Sequence, residues 1–174
     1  MSIYFPVPIM DHNISNSNIP NSMRLEEKIL KKFTKAGQNL AIAESCTGGL
    51  IGNRLTDIPG ASAYFFLGIA AYDNAAKTRI LGVSPSLIKK HGAVSAQTAS
   101  AMAIGVRKLL KTSVGLSVTG IAGPGGATIG KPVGLVYIAL SNPARTIVKK
   151  FLFKGSRVDI KKQAADTALK MLAK

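Results

Sequence analysis

Segments with helical spacing of apolar residues alternate along this chain with short segments rich in branched and aromatic residues. A helix is predicted over 24–37 and a strand over 39–43, and the alternation then continues to the end of the chain. Such alternation is typical of a layered α/β domain. Only the last two strands follow each other directly, across the hairpin signal at 141–144. The pattern therefore predicts one α/β/α domain with a mixed β-sheet.

The remaining elements are predicted from the same spacings and from capping residues. Asn74 is expected to cap a short helix that reaches about residue 81, and Ser84 and Ser95 are expected to begin two more. Further strands are predicted over 63–72, 114–119, 133–140 and 146–153, and further helices over 47–55, 84–91, 95–111 and from 158 onward.

The N-terminal segment differs from the rest. Residues 1–23 are rich in Asn, Ser and Pro without usable periodicity, which predicts a flexible extension ahead of a domain over 24–174. No Lys or Arg precedes Arg24, and the longest nearly apolar stretch, 61–72, is too short to span a membrane. The single Cys excludes an intramolecular disulfide. These features predict a cytoplasmic protein with no membrane partner.

Positive charge is concentrated in the second part of the chain. The net charge is +15, yet residues 1–73 hold six basic and six acidic side chains, whereas residues 74–174 hold 17 basic and two acidic ones. Such a field attracts anions, either nucleic acid or a small phosphorylated substrate. The alternative for most of these lysines is that they only solvate the surface. Two His and one Cys cannot build a structural zinc site without carboxylates, so no metal is expected.

Two short motifs resemble known phosphate-binding or acylating motifs only superficially. The segment 125–131 spells G-x-x-x-x-G-K, but Pro132 occupies the Ser/Thr position of a P-loop and a strand is predicted next, where a P-loop has a helix. Ser86 and Lys89 form an S-x-x-K without its partner motifs. We therefore interpret both as parts of the surface or of a loop.

The segment AESCTGG at 43–49 lies where a strand is predicted to end and a helix to begin. A hydroxyl there lies near unpaired N–H groups, and the helix dipole stabilises developing negative charge. Ser45 is therefore either a nucleophile or a helix cap, and the spacing leaves both open. Cys46 is the alternative nucleophile, but no His is sequence-linked to activate it, which favours a small, half-buried thiol.

Several motifs in one order resemble the CinA C-terminal domain family. They are AESCTGG at 43–49, GIAAYDNAAKTRILGV at 68–83, HGAVS at 91–95, TGIAGPGG at 119–126 and KPVGLVYIAL at 131–140. The resemblance covers about 25–172 and implies a nicotinamide-nucleotide amidase, which deamidates nicotinamide mononucleotide (NMN) to nicotinate mononucleotide and ammonia in pyridine nucleotide recycling. It also implies the stand-alone form, since the larger N-terminal domain of some relatives has no counterpart.

The resemblance also implies catalytic roles. Ser45 matches the nucleophile of the family and Lys77 its general base, in an acyl-enzyme mechanism. The lysine acts as a base only when neutral, so its pKa must fall from about 10.4 toward about 7 to 8. We expect the positive end of its helix to lower that pKa, and Asp73 to raise it if the carboxylate points inward. Tyr72 and Thr119 are expected to hydrogen-bond to this pair or to orient it.

Other positions are expected to hold the substrate. The main chain at Cys46 and Thr47 is expected to form the oxyanion hole, and Arg157 to meet the substrate phosphate. Lys161 stands where many relatives carry a second arginine, which implies weaker phosphate binding because lysine lacks a bidentate fork. The resemblance implies no metal and no cofactor. It does imply a homodimer or a higher homo-oligomer. Glycines expected at the substrate are Gly48, Gly49, Gly120 and Gly123, each with a purely structural turn as its alternative.

Two rival functions remain open from sequence. A noncatalytic nucleotide or nucleic-acid binding module linked to competence or DNA damage is suggested by the family name and the charge. Against it, aromatic residues make up 6% of the chain and Trp is absent, which leaves little stacking surface. The same Ser–Lys pair could instead hydrolyse another small amide. The hydrolase hypothesis requires that an uncharged Lys77 amine lie near the Ser45 hydroxyl, unpaired with any carboxylate.

Overall fold

The computed structural model describes residues 23–174, so the predicted extension over 1–23 lies, apart from Met23, outside the described residues. None of the helices in residues 23–174 is long and apolar enough to cross a lipid bilayer. In chain order the helices and strands are α1 (Leu25–Lys35), β1 (Leu40–Glu44), α2 (Leu50–Thr56), β2 (Phe65–Ala70), α3 (Asn74–Arg79), α4 (Pro85–His91), α5 (Ala96–Leu109), β3 (Val114–Gly120), β4 (Leu135–Ser141), β5 (Thr146–Leu152) and α6 (Arg157–Ala173).

The five strands form one mixed sheet in the order β2-β1-β3-β4-β5. Strand β1 is parallel to both β2 and β3. Strand β4 is antiparallel to β3, and β5 is antiparallel to β4. Side chains alternate across β1: Leu40 and Ile42 pack with α1 and α6, whereas Ala41 and Ala43 pack with α5. The predicted α/β/α domain with a mixed sheet is therefore confirmed.

The order of the strands creates a crevice at one edge of the sheet. The chain leaves β1 for β2 on one side and later returns to β3 on the other side of β1. The segments that follow β1 and β3 therefore diverge at the carboxyl ends of these strands, which is where open α/β sheets bind their ligands. Ser45 follows β1, and Thr119 and Gly120 end β3.

Most element boundaries agree with the prediction, but some differ. The N-cap of α3 is Asp73, whose Oδ1 accepts the Ala75 N–H at 2.7 Å, and the prediction of Asn74 as the cap is wrong. Strand β2 is shorter than predicted because a 3₁₀ turn at Ala61–Ala63 precedes it. The segment G-x-x-x-x-G-K is followed by strand β4, as predicted, and not by the helix of a P-loop.

Arg54 of α2 joins the three helices on one face of the sheet. Its Nε and Nη2 contact Oε1 of Glu26 in α1 at 2.8 and 2.6 Å, and its Nη1 binds the carboxylate of Asp166 in α6. The Glu26 carboxylate is buried, whereas the Asp166 carboxylate is half exposed. Loss of the pair with Glu26 should therefore destabilise the fold more than loss of the pair with Asp166.

We predict that Arg54→Met lowers the free energy of unfolding by about 2 kcal/mol, because it leaves the buried Glu26 carboxylate without its cation. Asp166→Asn, which removes only the exposed partner, is expected to cost less than about 1 kcal/mol. Urea denaturation of both variants checks the difference. An equal loss in the two variants would contradict this account.

Candidate active site

A cavity of about 250 Å³ lies at the carboxyl ends of β1 and β3. Its walls come from the segment after β1, the start of α3, the turn before α5, the loop after β3 and the first residue of α6. Segments that are far apart in sequence therefore meet at one edge of the sheet. The predicted site residues that line this cavity are Ser45, Cys46, Tyr72, Lys77, Thr119, Gly120, Gly123 and Arg157.

Other predicted site residues do not line this cavity. Gly49 lines a separate cavity of about 280 Å³ between α2 and β2, so the structure places it away from the proposed substrate. Thr47 is fully buried, and Gly48 lies beside Lys161, whose Nζ is 3.7 Å from where a Gly48 Cβ would be. Thr47, Gly48 and Lys161 therefore adjoin the Ser45 segment without forming the cavity wall.

Glu44 is a buried residue that the sequence analysis missed. Its carboxylate accepts the N–H groups of Gly49, Ile51 and Gly52 at 3.0, 3.2 and 2.9 Å. Because these are the unpaired amides that begin α2, Glu44 supplies the cap of that helix. The available signal was a glutamate placed a few residues before a predicted helix start, where it can accept from the first turn.

Ser45 is not the cap of α2. The N-cap position is Gly49, the Glu44 carboxylate rather than the Ser45 hydroxyl accepts the first amides, and Ser45 lines the cavity. The alternative interpretation of Ser45 as a helix cap is therefore wrong. Its main-chain N–H donates to Val118 O at 2.9 Å, which fixes the residue to the end of β3.

Two main-chain amides follow Ser45 directly: Cys46 lines the cavity, whereas Thr47 is fully buried beside it. The N–H of Gly48 donates to Ser45 O at 3.1 Å, but the N–H groups of Cys46 and Thr47 donate to no other residue within residues 23–174. Unpaired amides next to a hydroxyl are the elements of an oxyanion hole. They are the two amides that the sequence analysis assigned to that role.

Lys77 is 1% exposed, although it is a lysine. Its Nζ donates to Tyr72 O at 2.7 Å and to Asp73 O at 3.5 Å. Burial lowers the pKa of Lys77 from its ordinary value, while the negative charge of Asp73 acts in the opposite direction. The Asp73 carboxylate is exposed and caps α3, so it does not pair with the amine.

The cause of this lowered pKa differs from the expectation. Helix α3 has six residues, and Lys77 lies in its last turn, where the helix dipole does not disfavour an ammonium. Loss of hydration is the main cause. Lys77 and Ser45 line the same cavity, but no hydrogen bond joins their side chains among the described residues, because Nζ binds main-chain carbonyls.

Tyr72 and Thr119 have side-chain partners other than the Ser45–Lys77 pair, and Arg157 is one of those partners. Arg157 Nη2 donates to Tyr72 Oη and Nη1 to Gly123 O, both at 2.7 Å. The Thr119 hydroxyl donates to Ala93 O at 2.8 Å and not to Ser45 or Lys77. The Tyr72 side chain thus supports the arginine, while its main-chain carbonyl holds Lys77.

Cys46 is buried, and burial determines how reactive its thiol is. Burial raises the pKa of the Cys46 thiol to about 12, so the thiol stays protonated at neutral pH. A protonated thiol is a poor nucleophile, which favours Ser45 over its neighbour. No group of three or more His, Cys, Asp or Glu side chains within residues 23–174 is placed to hold a metal ion.

Comparison with known proteins identifies similar sequences. A family model described as the CinA C-terminal domain matches residues 22–174. A putative competence-damage inducible protein of Caldanaerobacter subterraneus subsp. tengcongensis is 49% identical over 148 residues, which are 85% of this chain and 36% of that protein. A CinA-like protein of Desulfotalea psychrophila is 53% identical over 140 residues, 80% of this chain and 34% of that protein. The chain spans about a third of the length of these curated relatives.

Solved structures share the fold over nearly their whole length. The competence/damage inducible protein CihA of Agrobacterium tumefaciens is 41% identical with a TM-score of 0.82, covering 85% of this chain and 91% of that one. A competence or damage-inducible protein of Enterobacter asburiae is 32% identical with a TM-score of 0.83, covering 86% and 94%.

We predict that Cys46 in the folded protein reacts with iodoacetamide at pH 8 at least about 100-fold more slowly than in the unfolded protein, because burial suppresses the thiolate. The chain contains one Cys, so the mass increase of the intact protein reports on this residue alone. Equal rates in the two states would show that Cys46 is a reactive thiol.

Proposed function

The chain belongs to the CinA C-terminal domain family, and on that basis we propose that its cavity hydrolyses the carboxamide of NMN to nicotinate mononucleotide and ammonia. The names of the relatives refer to competence and damage and specify no reaction. The observation that carries the proposal is the Lys77 amine, which is buried in the wall of the cavity that Ser45 also lines and is paired with no carboxylate of residues 23–174.

The first step activates the serine. A neutral Lys77 amine has two N–H groups and one lone pair, so it can donate to Tyr72 O while its lone pair accepts the Ser45 proton. The Ser45 oxygen then bonds to the carboxamide carbon, and the carbonyl oxygen becomes an oxyanion that the amides of Cys46 and Thr47 stabilise. The direct Ser45–Lys77 contact forms when the substrate fills the cavity, since catalytic hydrogen bonds often tighten only in the complex.

The second step releases ammonia and then the acid. The carbon–nitrogen bond breaks as Lys77 returns its proton to the leaving nitrogen, which leaves an ester between Ser45 and the nicotinoyl group. Lys77 next takes a proton from water, the hydroxide attacks the ester, and Ser45 recovers its proton from Lys77. Protons and electron pairs balance over the cycle without a metal or cofactor.

The phosphate of NMN is assigned to the cations near the start of α6. Arg157 lines the cavity and offers a guanidinium fork to phosphate oxygens once it releases Tyr72 or Gly123. Lys161 lies one turn further along α6, beside Gly48, and adds positive charge at that side. The charge excess of residues 74–174 draws an anionic substrate toward this edge.

We predict that Ser45→Ala and Lys77→Met each reduce ammonia release from NMN by at least about 10³-fold, because each removes one member of a pair that acts as a unit. The chain supplies matched controls: Ser86→Ala and Lys89→Met on α4 remove the same two residue types at exposed positions and should leave the rate unchanged.

The outcomes separate the rival functions. If the wild-type protein leaves NMN intact but deamidates another small amide, and this activity also needs Ser45 and Lys77, the substrate assignment is wrong while the mechanism stands. If the protein deamidates nothing and binds DNA with a steep salt dependence, the noncatalytic module replaces the hydrolase.

We predict that kcat/KM for NMN rises with pH through an apparent pKa below 10.5, because only neutral Lys77 accepts the Ser45 proton and burial lowers its pKa. Asp73→Asn should move this rising limb to lower pH. The asparagine preserves a good N-cap for α3 but removes the charge that raises the Lys77 pKa. Asp57→Asn, which changes an exposed aspartate at the end of α2, serves as the control. A shift of the limb to higher pH in Asp73→Asn would contradict the assignment of the base.

A further inference from the structure

The turn between α4 and α5 has its carbonyl groups engaged by side chains from several parts of the chain. Residues 91–93 offer three successive carbonyl oxygens, and each accepts at least one side-chain hydrogen bond. The donors are Lys131 Nζ to His91 O at 2.6 Å, Ser95 Oγ and Thr98 Oγ1 to Gly92 O at 2.9 and 2.8 Å, and Thr119 Oγ1 to Ala93 O at 2.8 Å.

The Gly92 amide of this turn donates to Ile88 O at 2.8 Å, whereas the next two amides have no acceptor among residues 23–174. The N–H groups of Ala93 and Val94 donate no hydrogen bond in the part of the chain that the structure describes, and both residues line the cavity with Ser45. Backbone donors at a ligand cavity require an acceptor, from either water or a ligand. The turn therefore offers a pair of neutral N–H groups to an oxygen atom of whatever occupies the cavity.

Lys131 connects this turn to the glycine-rich loop. The loop lines the cavity through Gly123, Gly125 and Gly126 and ends where Thr128 and Lys131 exchange two main-chain hydrogen bonds of 3.0 and 2.9 Å. From this hydrogen-bonded turn the Lys131 side chain extends to the segment before α5, where its amine donates to His91 O. A Cβ on Gly92 would lie 2.6 Å from Nζ, so the amine packs directly on the glycine main chain.

We propose that the Ala93 and Val94 amides bind a ribose or phosphate oxygen of the nucleotide substrate, and that Lys131 is the positioning residue that holds this turn. The inference rests on the proposed function for its ligand. The carboxamide oxygen is already assigned to Cys46 and Thr47, which leaves as acceptors for the turn the ribose hydroxyls and any phosphate oxygen that Arg157 and Lys161 do not bind. Lys131 itself donates to His91 O and touches no reacting atom.

Loss of the Lys131–His91 hydrogen bond should weaken substrate binding more than it slows the chemical step. When Lys131 is replaced by Met, the turn and the loop are no longer joined, and only a fraction of molecules presents both amides correctly. The apparent dissociation constant rises by the inverse of that fraction. Lys131→Met should therefore raise KM for NMN about tenfold, equivalent to about 1.4 kcal/mol, while kcat stays within about twofold.

The direct test uses Ser45→Ala, which binds NMN without turning it over, and follows amide hydrogen exchange by ¹⁵N NMR. Saturating NMN should slow exchange at Ala93 and Val94. Adding Lys131→Met should weaken NMN binding about tenfold and should lower the protection of both amides at a given NMN concentration accordingly. Nicotinamide riboside distinguishes the acceptors, because protection that persists without the phosphate identifies a ribose oxygen and protection that disappears identifies a phosphate oxygen.

Two controls distinguish loss of the Lys131–His91 hydrogen bond from loss of a positive charge. Lys131→Arg keeps a cationic donor and should restore most of the affinity. Lys90→Met removes a positive charge adjacent to His91 from an exposed side chain and should leave NMN affinity unchanged. Equal weakening in Lys90→Met and Lys131→Met at low salt that disappears in both variants at high salt would overturn the positioning role, since it would show a general effect of the charge.

The proposal and the proposed function fail in distinguishable ways. If NMN binds and protects the two amides but wild-type protein releases no ammonia, the hydrolase assignment fails and the role of the turn stands. If NMN is deamidated and binds without changing exchange at Ala93 and Val94, the role of the turn fails and the hydrolase stands. Absence of any NMN binding overturns both.

Discussion

The amine of Lys77 is buried where β1 and β3 end, and its polar neighbours are main-chain carbonyls. An ammonium in this place loses its hydration and gains no carboxylate from the described part of the chain, so burial lowers the pKa of Lys77. A lysine on an exposed helix face would remain protonated at neutral pH and could not accept a proton. The proposed chemistry of Ser45 therefore depends on how completely the surrounding elements exclude water from this one side chain.

Glu44 and Ser45 divide two tasks between adjacent residues. The Glu44 carboxylate binds the first turn of α2, whereas Ser45, the first residue after β1, lines the cavity. The Glu44 carboxylate accepts the first N–H groups of α2. Ser45 is therefore not needed as the cap of that helix, although its position suggests that role. The amides of Cys46 and Thr47 precede those that Glu44 occupies and stay unpaired among the described residues.

Local pattern was sufficient for most of the fold. Pro85 after Ser84 and Gly92 after His91 predicted the bounds of α4, and the apolar spacing predicted the alternation that builds a layered domain. Spacing did not choose between Asp73 and Asn74 as the cap of α3, because both residue types cap helices well. The hydrogen bond of Tyr72 to Arg157 joins residues 85 positions apart, so no local pattern could predict it.

The sequence by itself determined the α/β class, the order of helices and strands, and the motifs that identify the family, because these depend on neighbouring residues and on periodicity. Tertiary structure decided that Lys77 is buried, that Glu44 and not Ser45 caps α2, and that Gly49 faces a different cavity. It also decided that Lys131 reaches the turn before α5. These outcomes follow from the crossing of the chain between β2 and β3, which brings distant loops to one edge of the sheet and sets which side chains meet there.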